Sequence, residues 1–157
     1  MEPIDKIKTW LSVHLAETGV RTKKKHGYKA LFDGPRAADK LTKVKLLGKE
    51  FKKKVFRVDL RQIVSEYIGE TEKNLDAVFN KVGSKDWILF FDEADALFGK
   101  RTDVRDAHDK YANAEVSYLM QRIEAYPGLV ILATNSKSNI DSSFVRRFQT
   151  VLQFENA

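Results

Sequence analysis

At 157 residues, 43% apolar and 32% charged, with 10 Phe, 5 Tyr, 2 Trp and only 3 Pro, the chain has the composition of one folded domain and not of a disordered or fibrous segment. Its apolar runs are too short to span a bilayer, no apolar signal core follows the N-terminus, and the lack of Cys excludes disulfides, thiolate metal sites and Cys nucleophiles. A cytoplasmic address without membrane contact is therefore expected.

The net charge of +6 is unevenly placed: residues 1–60 carry 16 Lys/Arg against 7 Asp/Glu, and residues 61–157 carry 12 against 15. Ile4, Ile7, Leu11 and Leu15 recur at three- and four-residue intervals beside Trp10 and predict an amphipathic helix ended by Thr18-Gly19. Val20 to Gly27, with Lys23-Lys24-Lys25, reads as a polar connector, so residues 1–26 form a helix and basic connector ahead of an α/β domain over 27–157. KALFD (29–33) is a strand, Gly34-Pro35 a turn, and Asp39 to Lys52 a helix with Leu41, Val44, Leu47 and Phe51 inward. Lys43, Lys45, Lys49, Lys52, Lys53 and Lys54 lie on or just after its outer face. They invite a nucleic-acid reading, but Phe51, the aromatic among them, is used inward, and a solvated face is the plainer account.

VFRVDL (55–60) is the second strand, and a helix over 71–81 follows with Thr71 as cap and Leu75, Val78 and Phe79 inward. WILFF (87–91) is continuously apolar and wants burial on both faces. After a charged segment, Ala112 to Glu124 is helical through Val116, Leu119, Met120 and Ile123; Pro127-Gly128 breaks it, LVILA (129–133) is a buried strand and TVLQF (150–154) a fifth. This alternation argues a parallel sheet with helices on both faces. Right-handed crossovers then gather Gly34 to Lys40, Asp92-Glu93 and Thr134-Asn135 at one edge, beyond the carboxyl ends of the strands. His14, His26 and His108 are scattered and predict no metal cage.

An apolar strand ending in two acids suits nucleotide hydrolysis: Asp92 would hold Mg²⁺ through its water shell, and Glu93 would orient or deprotonate the attacking water. With the whole string ILFFDEADALFGKR (88–101), the chain from about Gly27 to Phe154 resembles the large subdomain of an AAA+ ATPase. It is most similar to bacterial stand-alone members of the AAA class, some of which accompany contractile injection machinery. The resemblance implies a three-layer P-loop NTPase fold with a five-stranded parallel sheet in the order 5-1-4-3-2. It further implies ATP and Mg²⁺ as ligands and a homo-oligomeric, hexameric ring that couples hydrolysis to remodelling or threading a polypeptide.

Carried over residue by residue, Asp92 and Glu93 match the Walker B pair, and Thr134-Asn135 matches sensor 1, with Asn135 on the attacking water or γ-phosphate. Arg146-Arg147-Phe148 matches the arginine-finger segment, whose guanidinium groups would act on the neighbouring subunit's nucleotide. Tyr67-Ile68-Gly69 matches the aromatic-hydrophobic-glycine pore loop that grips an extended polypeptide.

The phosphate loop departs from this pattern. Against G-x-x-x-x-G-K-[ST], the aligned segment is Gly34-Pro35-Arg36-Ala37-Ala38-Asp39-Lys40-Leu41. Ala37 and Asp39 replace glycines that let backbone N–H groups approach the phosphates, and Leu41 stands where a hydroxyl would ligate Mg²⁺. At about 5 Å and an effective dielectric of about 20, Asp39 would cost roughly 3 kcal/mol per unit of phosphate charge, partly offset by Arg36. Asp39 also suits an N-cap, and Lys40 would pair with Asp39 or Asp92. The family's C-terminal helical lid is expected to be absent, since the sequence stops at Glu155-Asn156-Ala157. Two readings stay open: an AAA+ ATPase core with impaired nucleotide binding, and a non-hydrolysing AAA-like interaction module that keeps the fold and subunit contacts.

Overall fold

The computed structural model describes residues 2–17, 27–83, 85–99 and 107–155. The basic connector with its three lysines and most of the charged segment after Gly99 lie outside them. Five parallel strands form a single sheet: β1 (Tyr28–Asp33), β2 (Val55–Asp59), β3 (Ile88–Asp92), β4 (Leu129–Thr134) and β5 (Thr150–Gln153). Their order is β2-β3-β4-β1-β5, which is the expected 5-1-4-3-2 read from the opposite edge. Every residue of β3 and β4 is buried, as their unbroken apolar runs require of strands covered on both faces.

Successive strand residues point to opposite faces, so neighbouring apolar residues feed two separate cores. Phe32, Phe90 and Ile131 meet Ile7 and Leu11 of α1 (Pro3–Glu17) and Val44 and Leu47 of α2 (Ala37–Glu50). Leu31, Phe91 and Leu132 face the other way, against Leu75 and Phe79 of α4 (Glu70–Val82) and Leu119 and Met120 of α6 (Ala107–Ala125). Helix α1 thus shares a core with α2. His14 near its end is 5% exposed, stacks on Trp10 at 4.6 Å and places Nε2 3.1 Å from both Asp86 oxygens. Burial would push the Asp86 carboxyl up, but its hydrogen bond from Lys53 and the His14 charge hold it below the ordinary carboxylate value.

Several element ends differ from expectation. Helix α2 begins at Ala37, two residues early, so Asp39 lies inside the first turn and Arg36 takes the cap position without a side-chain hydrogen bond. Helix α4 begins at Glu70 behind Gly69, whose φ of +82° is a left-handed conformation that glycine adopts without strain. Thr71 is therefore inside the helix, where its hydroxyl accepts the Ser65 N–H at 2.9 Å. Helix α6 starts at Ala107, earlier than its apolar period begins. Three four-residue helices were not foreseen: α3 (Leu60–Ile63), α5 (Asp95–Phe98) and α7 (Ser142–Val145).

Tyr126, just after α6, is buried and donates its hydroxyl to the carbonyls of Trp87 at 2.7 Å and Lys85 at 3.0 Å. Burial pushes its phenol up from 10.0 to about 12. The folded state keeps a proton that the unfolded chain loses first, so this contribution is intact below pH 10 and lost as the pH climbs towards 12. Urea unfolding across that window is expected to show a loss of about 1.4 kcal/mol per pH unit from this group, absent in Tyr126→Phe.

Candidate functional site

The carboxyl ends of β1, β3 and β4 meet at one edge of the sheet. Asp33 is level with Thr134, and the loop after β1 turns at once: Gly34 donates its N–H to the Thr134 carbonyl at 3.2 Å. A Cβ on Gly34 would stand 2.2 Å from the Phe154 carbonyl oxygen, and φ is +158°, so only glycine fits there. Pro35 and Arg36 are exposed, and helix α2 starts directly after them. Only three residues of the aligned phosphate loop remain outside helix.

Inside that first turn, Arg36 Nε reaches Asp39 Oδ2 at 3.3 Å across a half-exposed surface. Ala38 and Asp39 are exposed, and Ala37 and Leu41 are half-buried. Lys40 is 1% exposed. Its ammonium donates to the Gly34 carbonyl at 2.6 Å and to the Thr134 carbonyl at 2.8 Å. The expected partners Asp39 and Asp92 do not bond it, because the carbonyls that close the loop lie nearer. Burial lowers the Lys40 pKa from its ordinary value, and the charges of Asp92, Asp95, Glu93 and Asp33 counter part of that fall.

Asp92 is 3% exposed at the end of β3. Its Oδ1 accepts the Glu93 N–H at 2.9 Å, and its Oδ2 accepts Arg57 Nε at 3.0 Å and pairs with Arg57 Nη2 at 2.8 Å. Glu93 sits at φ +60°, a left-handed backbone for a residue with a Cβ, which costs about 1–2 kcal/mol. The strain is held by the next residue, since the Ala94 N–H bonds the Ala133 carbonyl at 2.9 Å. Thr134 and Asn135 are fixed by Asp95: its carboxylate accepts the Thr134 hydroxyl at 2.6 Å, the Asn135 N–H at 2.8 Å and the Asn139 amide at 3.1 Å. The Asn135 residue itself is exposed at the rim.

Two other predicted groups lie on other loops. Tyr67 and Ile68 project from the loop between α3 and α4 at 67% and 70% exposure. The base of that loop is pinned by Thr71 on Ser65, by the Asn74 amide on the Ile63 carbonyl at 2.9 Å and by the Glu70 N–H on the Tyr67 carbonyl at 3.2 Å. Arg146 and Arg147 lie just before β5, at the amino ends of the strands, where the neighbouring Gln149 N–H bonds the Lys29 carbonyl at 2.9 Å. Arg147 is ion-paired with Glu124 and lies over the Phe144 ring at 5.5 Å, while Arg146 is exposed. Their segment lies at the opposite ends of the strands from the Lys40–Asp92 edge.

Arg57 and Asp95 are the site residues that sequence reasoning missed. Asp95 lies inside the string ILFFDEADALFGKR with no signal that separates it from the other acids, and Arg57 sits in a strand with no local signal. Among the described residues no group of three or more His, Asp or Glu side chains converges as a metal-ligand set, and no helix is long and apolar enough to cross a membrane.

A parallel sheet in this strand order, with a glycine turn after β1, a helical lysine behind it and an acid pair ending β3, defines a P-loop nucleotide-binding domain. Residues 30–156 match the family described as ATPase family associated with various cellular activities (AAA), and the chain belongs to that family. Among its relatives, the Uncharacterized AAA family ATPase y4kL of Sinorhizobium fredii is 34% identical over 137 residues, 84% of this chain and 41% of that protein. Cell division protein C of Sulfolobus acidocaldarius is 31% identical over 74% of this chain and 33% of that protein. Peroxisomal ATPase PEX6 of Pichia angusta is 31% identical over 78% of this chain and 12% of that protein. The chain thus spans less than half the length of each of these relatives.

Proposed function

We propose that this chain is an AAA domain of a protein-remodelling assembly whose own nucleotide site is weakened, and which contributes polypeptide contact and subunit contact to a ring. The observation that carries the reading is Lys40. In a phosphate loop this ammonium reaches the β- and γ-phosphates; here it is buried on the Gly34 and Thr134 carbonyls, behind a helix that has absorbed the residues from Ala37 onward. A triphosphate would have to unwind that turn and displace those carbonyls. It would also meet Asp39 and find Leu41 in the hydroxyl position. The residues present do not fit Mg-ATP as they stand.

Calorimetric titration of Mg-ATP into the unaltered chain tests this directly. No saturation at micromolar concentrations is expected, and a micromolar dissociation constant would overturn the reading. Glu93, Asn135, Arg146 and Arg147 keep the residue types of a hydrolytic site; Arg146 is exposed and free to meet a neighbour, whereas Arg147 would first have to leave Glu124 of its own chain.

The exposed Tyr67-Ile68 pair supports polypeptide contact, because two large apolar side chains are held out by a pinned loop and left largely uncovered by the described residues. Truncating an aromatic anchor costs about 1–2 kcal/mol, roughly a five- to thirtyfold loss of affinity. Tyr67→Ala is expected to weaken binding of a fluorescein-labelled unfolded polypeptide by that factor in fluorescence anisotropy, with the melting temperature unchanged. Equal binding by the variant would remove this part of the proposal.

A further inference from the structure

The pairing of β2 with β3 sets Asp59 level with Asp92 and Arg57 level with Phe90, so a guanidinium two residues back along the edge strand reaches forward to the acid. Arg57 places both Nε and Nη2 on Asp92 Oδ2, and the Glu93 N–H takes Oδ1. Both oxygens of a 3% exposed carboxylate are thereby engaged within the protein. A second guanidinium follows on the same side of the sheet edge: Arg61 pairs with Asp59 at 2.8 Å, and the hydrogen bonds it donates to Asp59, with the charges of Asp59, Glu93 and Asp92, raise its pKa. Leu41, which packs against the core shared by α1 and α2, has no hydroxyl to offer a metal.

We infer that Arg57 is the built-in cation of this site, occupying on Asp92 the place a divalent ion would need, so that the acid edge is neutralised by the protein and excludes Mg²⁺. The inference rests on placing the nucleotide edge at Gly34–Leu41 and Asp92-Glu93. It explains how a buried Asp92 is tolerated without metal, since a buried carboxylate must be paired and hydrogen-bonded. A guanidinium also fits the role by shape: its planar fork holds a carboxylate along one edge while the rest of the group, on a side chain 40% exposed, stays open to a phosphate oxygen. Any phosphate ligand taken here would be met by guanidinium and would bind without a metal requirement.

Electron paramagnetic resonance of Mn²⁺ titrated into the nucleotide-free chain tests this. The unaltered chain is expected to take up no Mn²⁺ at Asp92. Arg57→Gln is expected to gain a site at least about a hundredfold tighter, the scale of one unit charge at about 5 Å and an effective dielectric of about 20, and Arg57→Gln with Asp92→Asn to lose it again. Arg57→Lys, which keeps the charge, should stay close to the unaltered chain. Mn²⁺ uptake by the unaltered chain that Asp92→Asn abolishes overturns the inference, as does a folded Arg57→Gln variant that gains nothing. Where Arg57→Gln fails to fold, the unaltered chain against Asp92→Asn decides alone, with uptake overturning the inference and its absence carrying it. No nucleotide enters these titrations, so a failure here leaves the weakened-cradle reading standing, and tight ATP binding by the unaltered chain overturns that reading without touching this one.

Discussion

Rebuilding the phosphate loop with Ala37→Gly, Asp39→Gly and Leu41→Thr in one chain is expected to tighten Mg-ATP binding by about a hundredfold or more, most of it from Asp39. Three separate obstacles are lifted. The carboxylate beside the phosphates goes, the backbone from Ala37 to Asp39 becomes free to leave the helix and present its N–H groups, and a hydroxyl arrives where Leu41 stood. The cost to the fold is bounded. Two glycines in a first helical turn forfeit about 1 kcal/mol each relative to alanine, and the lost Arg36–Asp39 pair, with both side chains about half exposed, contributes little. Calorimetry on the rebuilt and unaltered chains at the same ionic strength is the check, and equal affinities would mean that the loop was never the obstacle.

Lys40→Met is expected to destabilise the domain by about 3 kcal/mol with no ligand present. A lysine that served phosphate alone would leave stability almost untouched when removed. Here its loss strands the Gly34 carbonyl, leaves the Thr134 carbonyl with the Gly34 N–H alone, and withdraws the positive charge felt by Asp92, Asp95, Glu93 and Asp33. Methionine keeps the volume of the stem, so the loss reports charge and hydrogen bonding and not a cavity. The burial that lowers the Lys40 pKa works against the native state and trims the figure. A lower urea midpoint at constant m-value would report it, and an unchanged midpoint would show that the ammonium contributes nothing to closing the loop.

The sheet was legible in the sequence because its signals are local. WILFF and LVILA announce central strands by composition, and Leu75, Val78 and Phe79 announce α4 by spacing. The strand order came from resemblance, since patterning carries no information on which strands are neighbours. The short helices α3, α5 and α7 were not legible because four residues complete barely one turn and show no period. The start of α2 lies two residues before its expected place because the motif alignment implies a loop up to Ala38, while Ala37-Ala38 are good helix formers and Asp39 in a first turn is favourable there. Arg57 on Asp92 was invisible for a different reason. It depends on the register of two strands and joins residues 35 apart in the chain, and Arg57 within VFRVDL carries nothing that distinguishes it from a solvated strand residue.

The position of β1 between β4 and β5 has a consequence for how the chain reaches this structure. Tyr28 pairs with Leu129 and Ala30 with Thr150, so the innermost partners of the first strand are more than a hundred residues away along the chain. No neighbouring pair of strands can be made by a hairpin, and each junction must wait for a crossover to close. Topologies dominated by such distant contacts fold slowly, on the millisecond-to-second scale for small domains, and expose apolar strand edges while they do. During synthesis, β2 and β3 can associate while β1, already made, still lacks both neighbours, and it stays open along one edge until Thr150–Gln153 have emerged. The interval between making β1 and making β5 is therefore the period in which this domain is most exposed to misassociation and most dependent on being shielded.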